Sequence, residues 1–184
     1  GNLHPDFGTI WDGKAIGIPY VVVGGDQPRV PVTFDYGAES DPGPYPIPAN
    51  APLEDGADHH LIVVDNTNCK LYELFDATRQ DGGAAWHAGS GAVFDLRSNA
   101  LRPSSWTSAD AAGLPIFAGL ATYDEVVVQG RVDHALRFTA GRTQRAFIRP
   151  ATHYASSITD PGVPPMGARF RLKAGIDCSS FSAE

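Results

Sequence analysis

The stretch HHLIVVDNTNCKLYELFDA, residues 59–77, decides the fold because it holds two strand-like runs joined by a short turn. LIVVD has aliphatic side chains on both faces of a strand, which predicts a central strand covered above and below. KLYELFDA follows after NTNC, and the asparagines of that link favour a tight turn. The stretch therefore predicts a β-hairpin in the middle of a sheet.

Glu73 is the unusual residue of this hairpin. Successive side chains of a strand point to opposite faces, so Glu73 shares a face with Leu71 and Phe75. Burial among apolar neighbours raises the pKa of a carboxyl group. We therefore expect Glu73 to serve either as an acid or base in a cleft or as the partner of a buried imidazole.

Other strand-like runs recur along the chain, separated by Gly, Pro and Ser. They are IPYVVV 18–23, VPVTFDY 30–36, GSGAVFDLRSNALRP 89–103, DEVVVQG 124–130, VDHALRFTA 132–140, RAFIRPATH 145–153 and MGARFRLKAGID 166–177. The proline-rich residues 39–58 predict a long surface loop or an extended wrap, and TSADAAGLP 107–115 predicts a single short helical turn. This pattern predicts a single all-β domain over residues 1–184, a β-sandwich or jelly roll.

Composition limits the classes of function. The chain of 184 residues carries a net charge of −7, and residues 1–130 hold 17 of its 21 acidic and 6 of its 14 basic residues. An acidic protein of this kind is a poor candidate for nucleic acid binding, which depends on neutralising phosphates. No run approaches the ~18 apolar residues of a membrane span. Low lysine with many Gly, Pro, Asp, Ser and Thr is typical of an exported, loop-rich β protein, so we expect a secreted, extracellular or periplasmic location.

Cys69 and Cys178 are the two cysteines of the chain. In an oxidising compartment a bridge between them would close a loop of roughly a hundred residues and stabilise the fold by ~4 kcal/mol. A bridge also requires the two Cα atoms to approach, which sequence does not show, so the pairing stays open.

RVDHALRFTAG, residues 131–141, places a histidine where a strand would normally carry an aliphatic side chain. Strand alternation puts His134 on the apolar face with Val132 and Leu136, away from Asp133. An inward imidazole must bond both nitrogens, stay neutral or bind a metal. We therefore expect the partner of His134 to come from another strand.

His60, His134 and His153 form a possible metal set. Histidines from non-adjacent strands suit copper, zinc or iron, although no His-x-His or Cys-x-x-Cys spacing occurs here. The alternative is three core histidines that bond backbone or carboxylate groups. The sequence thus leaves open either no cofactor or one transition metal ion.

Carboxylates offer a different chemistry. Glycoside hydrolysis needs two carboxyl groups facing one cleft, about 5 to 9 Å apart. Glu73 and Asp95 are the candidates for this pair, with His134 and His153 as polar partners in the cleft. For Glu73, structural pairing is the competing interpretation.

Basic and aromatic side chains supply candidates for substrate binding. In MGARFRLKA, residues 166–174, apolar residues alternate strictly with Arg169 and Arg171, which predicts a core face and a basic face. With Arg137 on a neighbouring strand, this face would suit acidic sugars, although it would equally be a solvated sheet face. Rings in loops stack on sugars or plug the ends of a core. The rings in question are Tyr45, Trp86, Trp106 and Tyr154.

Three longer stretches resemble a group of uncharacterised, secreted bacterial proteins with no established activity. They are GSGAVFDLRSNALRPSSWTSADAAGLPIF, DHALRFTAGRTQRAFIRPATHYASS and PPMGARFRLKA. The resemblance runs from about residue 5 to the end and implies a shared site at His60, His134 and His153. Members continue past the position of Glu184, which implies that this chain is a processed or truncated form.

These patterns lead to one expectation and two rivals. We expect an extracellular polysaccharide-active protein, a glycoside hydrolase or a polysaccharide lyase, that acts in a cleft of a β-sandwich. Its glycan-binding residues would be Trp106, Tyr154, Arg137, Arg169 and Arg171. The rivals are a His-ligated metal protein and a non-catalytic carbohydrate-binding or cell-surface module.

Overall fold

The computed structural model describes residues 3–4, 10–11, 13–15, 17–177 and 179, and shows a β-rich fold with little helix. The strands are β1 Leu3–His4, β2 Ile10–Trp11, β3 Lys14–Ala15, β4 Tyr20–Val23, β5 Val32–Phe34, β6 Leu61–Asp65, β7 Lys70–Phe75, β8 Thr78–Gln80, β9 Ala85–Ala88, β10 Ser90–Asp95 and β11 Thr139–Ala140. Short 3-10 helices occur at Gly37–Glu39, Asp81–Gly83 and Phe117–Gly119, and a π-helical segment at Asp124–Gln129. None of the helices in the described ranges is long and apolar enough to span a membrane.

The predicted hairpin lies at the centre of a four-stranded sheet with strand order β10-β7-β6-β4. β6 and β7 are antiparallel from the pair Leu61 and Leu74 to the pair Asp65 and Lys70. The turn between them is fixed by Asp65, whose carboxylate accepts hydrogen bonds from the backbone N and the side-chain N of Asn68 at 2.9 and 2.8 Å. The prediction of a central strand is confirmed, since β6 lies between β7 and the parallel strand β4.

One face of this sheet packs against a second, three-stranded sheet with strand order β5-β9-β8. Leu61, Val63, Tyr72 and Leu74 on the first sheet share a buried cluster with Trp86 and Ala88 of β9. The chain passes from β9 in one sheet to β10 in the other at Gly89, where a Cβ atom would lie 2.9 Å from the ring of Phe75. Both sheets are mixed, because β4 runs parallel to β6 and β5 runs parallel to β9.

The opposite face of the four-stranded sheet packs against residues 109–120. Ile62 and Leu71 of the sheet form a second buried cluster with Ala109 and Ile116. Burial on both faces explains why the first four residues of LIVVD, 61–64, are all aliphatic. Residues 107–115, for which the sequence predicts a short helical turn, contain no helix. They form a turn that is closed by the hydrogen bond from Gly113 N to Asp110 O.

The proline-rich residues 39–58 form an extended wrap whose side chains enter the core. Tyr45 and Ile47 are each only 1% exposed, and Tyr45 forms an isolated bridge with Val30. Tyr45 and Trp86 are therefore core residues, and the idea that they present their rings to a sugar from loops is wrong.

The sequence predicts four strands in the second half of the chain, and of these only two residues of one segment form a strand. Residues 124–129 are helical because Thr122 and Glu125 form a capping box: Glu125 Oε2 accepts from Thr122 N at 3.0 Å, and Thr122 Oγ1 accepts from Glu125 N at 3.3 Å. Gly130, at φ 67°, ends the segment. Of 132–140 only Thr139–Ala140 is a strand, and 145–153 and 166–177 share a single bridge between Phe147 and Met166.

The basic and apolar faces predicted for 166–174 do not form. Because this segment is not part of a sheet, the apolar side chains Phe170 and Leu172 are exposed, at 58% and 68%, while Met166 and Ala168 are half-buried. Arg169 and Arg171 are exposed as well. Cys178 lies outside the described residues, so its pairing with Cys69 stays a prediction.

Candidate functional site

Glu73 is buried in the interior and organises the chain that packs over it. Its side chain is fully buried, and its two carboxylate oxygens accept from Ile116 N at 3.0 and 2.9 Å and from Phe117 N at 2.8 Å. Burial raises the pKa of Glu73 to about 7, although these backbone donors oppose the rise. The expected apolar surroundings and raised pKa are present, but solvent and substrate do not reach this carboxyl group.

Glu73 and Asp95 cannot face one cleft, which corrects the expected carboxylate pair. Glu73 is opposite Ala92 in the β7–β10 ladder, while Asp95 is opposite Lys70. Lys70 and Glu73 are three residues apart on one strand, so their side chains point to opposite faces of the sheet. The side chain of Asp95 lies on the same face as that of its neighbour Lys70. Lys70 Nζ and Asp95 Oδ2 are 3.0 Å apart in an exposed ion pair.

The three predicted histidines bond separate partners. His60 is buried with Nδ1 2.6 Å from Glu54 Oε2 and Nε2 3.2 Å from Ala109 O. His134 and His153 contact other carboxylates, Glu125 and Glu39 respectively. Within the described part of the chain, no group of three or more His, Cys, Asp or Glu side chains is arranged to hold a metal ion.

His134 does not lie on an inward strand face, contrary to the sequence-based expectation. Its segment is irregular, and the side chain is 32% exposed. The expectation that its partner comes from another strand is also wrong, since Nε2 lies 3.0 Å from Oε1 of Glu125, which belongs to the π-helical segment Asp124–Gln129. Nδ1 lies 3.0 Å from the carbonyl of Ala135. Both ring nitrogens thus face acceptors.

Glu125 and His134 line a surface groove of about 640 Å³, referred to below as the groove. Its volume falls within the roughly 300 to 1,000 Å³ typical of small-molecule sites. Its lining includes Ile18, Tyr20, Phe117, Leu120, Thr122, Tyr123, Asp124, Glu125, Gln129 and His134. The groove is therefore large enough for a ligand and carries aromatic, acidic and imidazole side chains together.

Aromatic rings line the groove. Tyr20 of β4 is 46% exposed and Tyr123 is 72% exposed. The ring of Tyr20 meets Phe117 edge to face, with 4.9 Å between centroids. Since Glu73 holds the backbone of Phe117 from beneath, the buried carboxyl group positions one wall of the groove.

Glu125 is the most firmly held carboxylate in the groove. Its Oε2 accepts from Thr122 N at 3.0 Å and from Thr122 Oγ1 at 2.8 Å. These hydrogen bonds, with the charge of His134 as a smaller contribution, hold the pKa of Glu125 below its ordinary value. Glu125 is therefore ionised near neutral pH and orients His134.

His153 and Tyr154 lie elsewhere, in a cleft of about 240 Å³ that we call the small cleft. Glu39, Ser105 and Phe147 complete its lining. His153 Nδ1 is 2.8 Å from Ala111 O, and Nε2 is 3.7 Å from Glu39 Oε2. Neither nitrogen is turned toward a serine, and the volume is below the usual range for ligand sites.

The other predicted binding residues have structural partners or lie apart from the groove. Arg137 Nε bonds Asp110 Oδ2 at 2.8 Å, and the backbone oxygen of Trp106 accepts from Thr152 Oγ1 at 2.9 Å. Neither lines the groove, and neither do Arg169 and Arg171. The structure thus brings only His134 of the predicted site residues into the groove.

Arg102 is a buried cation that the sequence analysis did not single out. Its guanidinium is paired with Asp41 and donates to Thr107 O at 2.6 Å and Glu39 O at 3.0 Å. It also lies 5.5 Å from the ring centroid of Trp106. These contacts tie the wrap to the segment after β10 and give Arg102 a structural role.

No family model, no curated protein and no solved structure matches this chain.

Proposed function

We propose that this protein binds an extracellular polysaccharide in the groove and hydrolyses it there. The observation that carries the proposal is the meeting of two exposed tyrosine rings with a carboxylate and imidazole pair in one groove of about 640 Å³. Tyrosine offers an apolar ring face for stacking and a hydroxyl group for hydrogen bonding, and both suit a sugar ring.

The polar residues have separate roles in the proposed hydrolysis. His134 is held by Glu125 through Nε2 at 3.0 Å. Its Nδ1–H exchanges the carbonyl of Ala135 for the leaving glycosidic oxygen and donates its proton there. The water that attacks the sugar releases its proton to the solvent, from which His134 is reprotonated. Asp124 also lines the groove and contacts the bound sugar without taking part in the proton transfer. Glu125 contacts His134 directly, so these two act on one side of the bond rather than as an acid and base on opposite sides.

Hydrolysis suits the groove better than elimination from a polyuronate. A lyase must neutralise the uronate carboxyl group before it removes the neighbouring proton, and this needs positive charge close to the substrate. In the part of the chain that the structure describes, the groove lining includes Asp124 and Glu125 but neither Lys nor Arg. We therefore place the activity among glycoside hydrolases.

The proposal includes an architecture and a location. The cluster shared by the two sheets supports a β-sandwich, and we propose a sandwich of jelly-roll type despite the parallel strand pairs. A secreted or periplasmic location accords with the low lysine content.

A polysaccharide panel tests the function. Purified protein is assayed for binding by affinity electrophoresis and for turnover by release of reducing ends. We expect Tyr123→Ala to weaken binding because it removes a stacking face, and His134→Gln to abolish turnover while binding persists. Tyr36→Ala is the matched control, since Tyr36 is 57% exposed but does not line the groove.

Each result has a definite meaning. Binding without turnover in the unmodified protein would overturn the hydrolase and leave a binding module. Turnover that survives His134→Gln would remove His134 from the mechanism. If no polysaccharide binds, the proposed function is wrong.

A further inference from the structure

The charges around the groove are unbalanced. Asp124 and Glu125 line it, and among the described residues of its lining His134 is the one able to carry positive charge. Glu125 lies 3.0 Å from His134 and pairs with it. The carboxylate of Asp124 is therefore left without a compensating charge among the described residues that line the groove.

Nearby arginines do not supply that compensation because each is paired with its own carboxylate. Arg131 Nε lies 2.9 Å from Asp133 Oδ2, and Arg137 Nε lies 2.8 Å from Asp110 Oδ2. The groove is also built mainly from the acidic part of the chain, since residues 1–130 contain 17 acidic and only 6 basic residues. A ligand that approaches the groove thus meets a negative potential.

We propose that the polysaccharide of the groove carries free amino groups, as in polymers of glucosamine or galactosamine. An ammonium group pairs with the Asp124 carboxylate, and the faces of Tyr20 and Tyr123 attract the same cation through their π electrons. A uronic acid polymer is repelled by the same charges. The inference rests on the proposed function and specifies its substrate class.

Salt and acetylation separate this inference from general sugar stacking. N-acetylation removes the charge of the amino group and leaves the sugar ring unchanged. Added salt screens an exposed ion pair but has little effect on stacking. The preference for free amino groups should therefore fall as ionic strength rises.

The test compares three oligosaccharides of equal length by isothermal titration calorimetry on the whole chain: a β-1,4 glucosamine oligomer, its fully N-acetylated form and a uronic acid oligomer. At low salt we expect the glucosamine oligomer to bind about threefold to fivefold more tightly than the acetylated one, the size of one surface ion pair. Asp124→Asn should abolish this preference and leave binding of the acetylated oligomer unchanged. Asp55→Asn, an exposed aspartate that does not line the groove, should retain the preference.

Failure of the inference is distinguishable from failure of the proposed function. Equal or tighter binding of the acetylated or the uronic oligomer would overturn the amino-sugar inference while glycan binding stands. A preference that persists in Asp124→Asn would also overturn it. Absence of binding by all three oligomers, together with a negative polysaccharide panel, would overturn both.

Discussion

Replacing Glu73 with glutamine makes the protein less sensitive to pH. Glu73 is fully buried, and its Oε1 accepts from both Ile116 N and Phe117 N, at 3.0 and 2.8 Å. The amide oxygen of glutamine can take the place of Oε1 and keep both of these bonds. The amide NH2 group replaces Oε2 and loses the bond from Ile116 N at 2.9 Å, a cost that does not depend on pH. The variant therefore removes the ionisable group, and the prediction concerns only the pH dependence of its stability.

The magnitude follows from the pKa. Burial raises the pKa of Glu73 from 4.5 to about 7, so between these pH values the folded protein binds more protons than the unfolded chain. The free energy of unfolding of the native protein therefore falls as pH rises through this window, by about 3 kcal/mol in total for Glu73. Glutamine stays neutral and shows no such fall, so its stability relative to glutamate rises by about 3 kcal/mol from pH 4 to pH 8.

Urea denaturation followed by tryptophan fluorescence at several pH values measures this difference. Subtracting the native curve from the variant curve removes the contributions of all other titrating groups. Asp95→Asn is the matched control, because Asp95 is exposed and its pKa is lowered. The difference in the free energy of unfolding between this variant and the native protein should therefore stay constant from pH 5.5 to 8. A flat difference for Glu73→Gln over the same range would refute the argument.

Three further substitutions test the packing around the groove and the core. Glu54→Gln should destabilise the protein by about 3 kcal/mol near pH 5.5, because it leaves the buried His60 without its charged partner. Burial alone would lower the pKa of His60, but the hydrogen bond and charge of Glu54 raise it. That stabilisation is present below the unfolded pKa near 6.5 and is lost as pH rises through the folded pKa, so the penalty, measured by urea denaturation, should shrink at alkaline pH. Arg102→Ala should lower the free energy of unfolding by about 3 kcal/mol, because it removes a buried guanidinium and leaves the half-buried Asp41 carboxylate and two backbone carbonyls without their donor. A thermal shift below 2 °C would contradict this. Gly113→Ala should be far more destabilising than Gly130→Ala, since both have positive φ but only at Gly113 would a Cβ overlap a buried threonine hydroxyl; equal melting temperatures would count against this packing.

The first half of the fold could be predicted from sequence because local and tertiary preferences agree there. LIVVD is aliphatic on both faces, and the structure buries both faces. In 124–130, by contrast, the valines favour a strand, while the capping box of Thr122 and Glu125 and the glycine at 130 favour a helix. Both signals were in the sequence, and the capping residues prevailed over β-propensity.

The site was harder to predict because it depends on contacts between distant segments. Strand alternation correctly gave Glu73 apolar neighbours but could not show that the N–H groups of 116 and 117 would cover it. Strand alternation predicts an inward position for His134, yet this residue belongs to an irregular segment and lines the groove beside Glu125. Tyr20 and Tyr123 are brought together only by the fold.

Hydrogen–deuterium exchange with a bound oligosaccharide tests the central claim, that the groove is where the glycan binds. We predict increased protection in peptides that cover residues 117–135, which include Phe117, Tyr123, Glu125 and His134. Peptides that cover residues 145–155, which contribute His153 and Tyr154 to the small cleft, should remain unchanged. Protection confined to 145–155 would contradict the account and move the binding site to the small cleft.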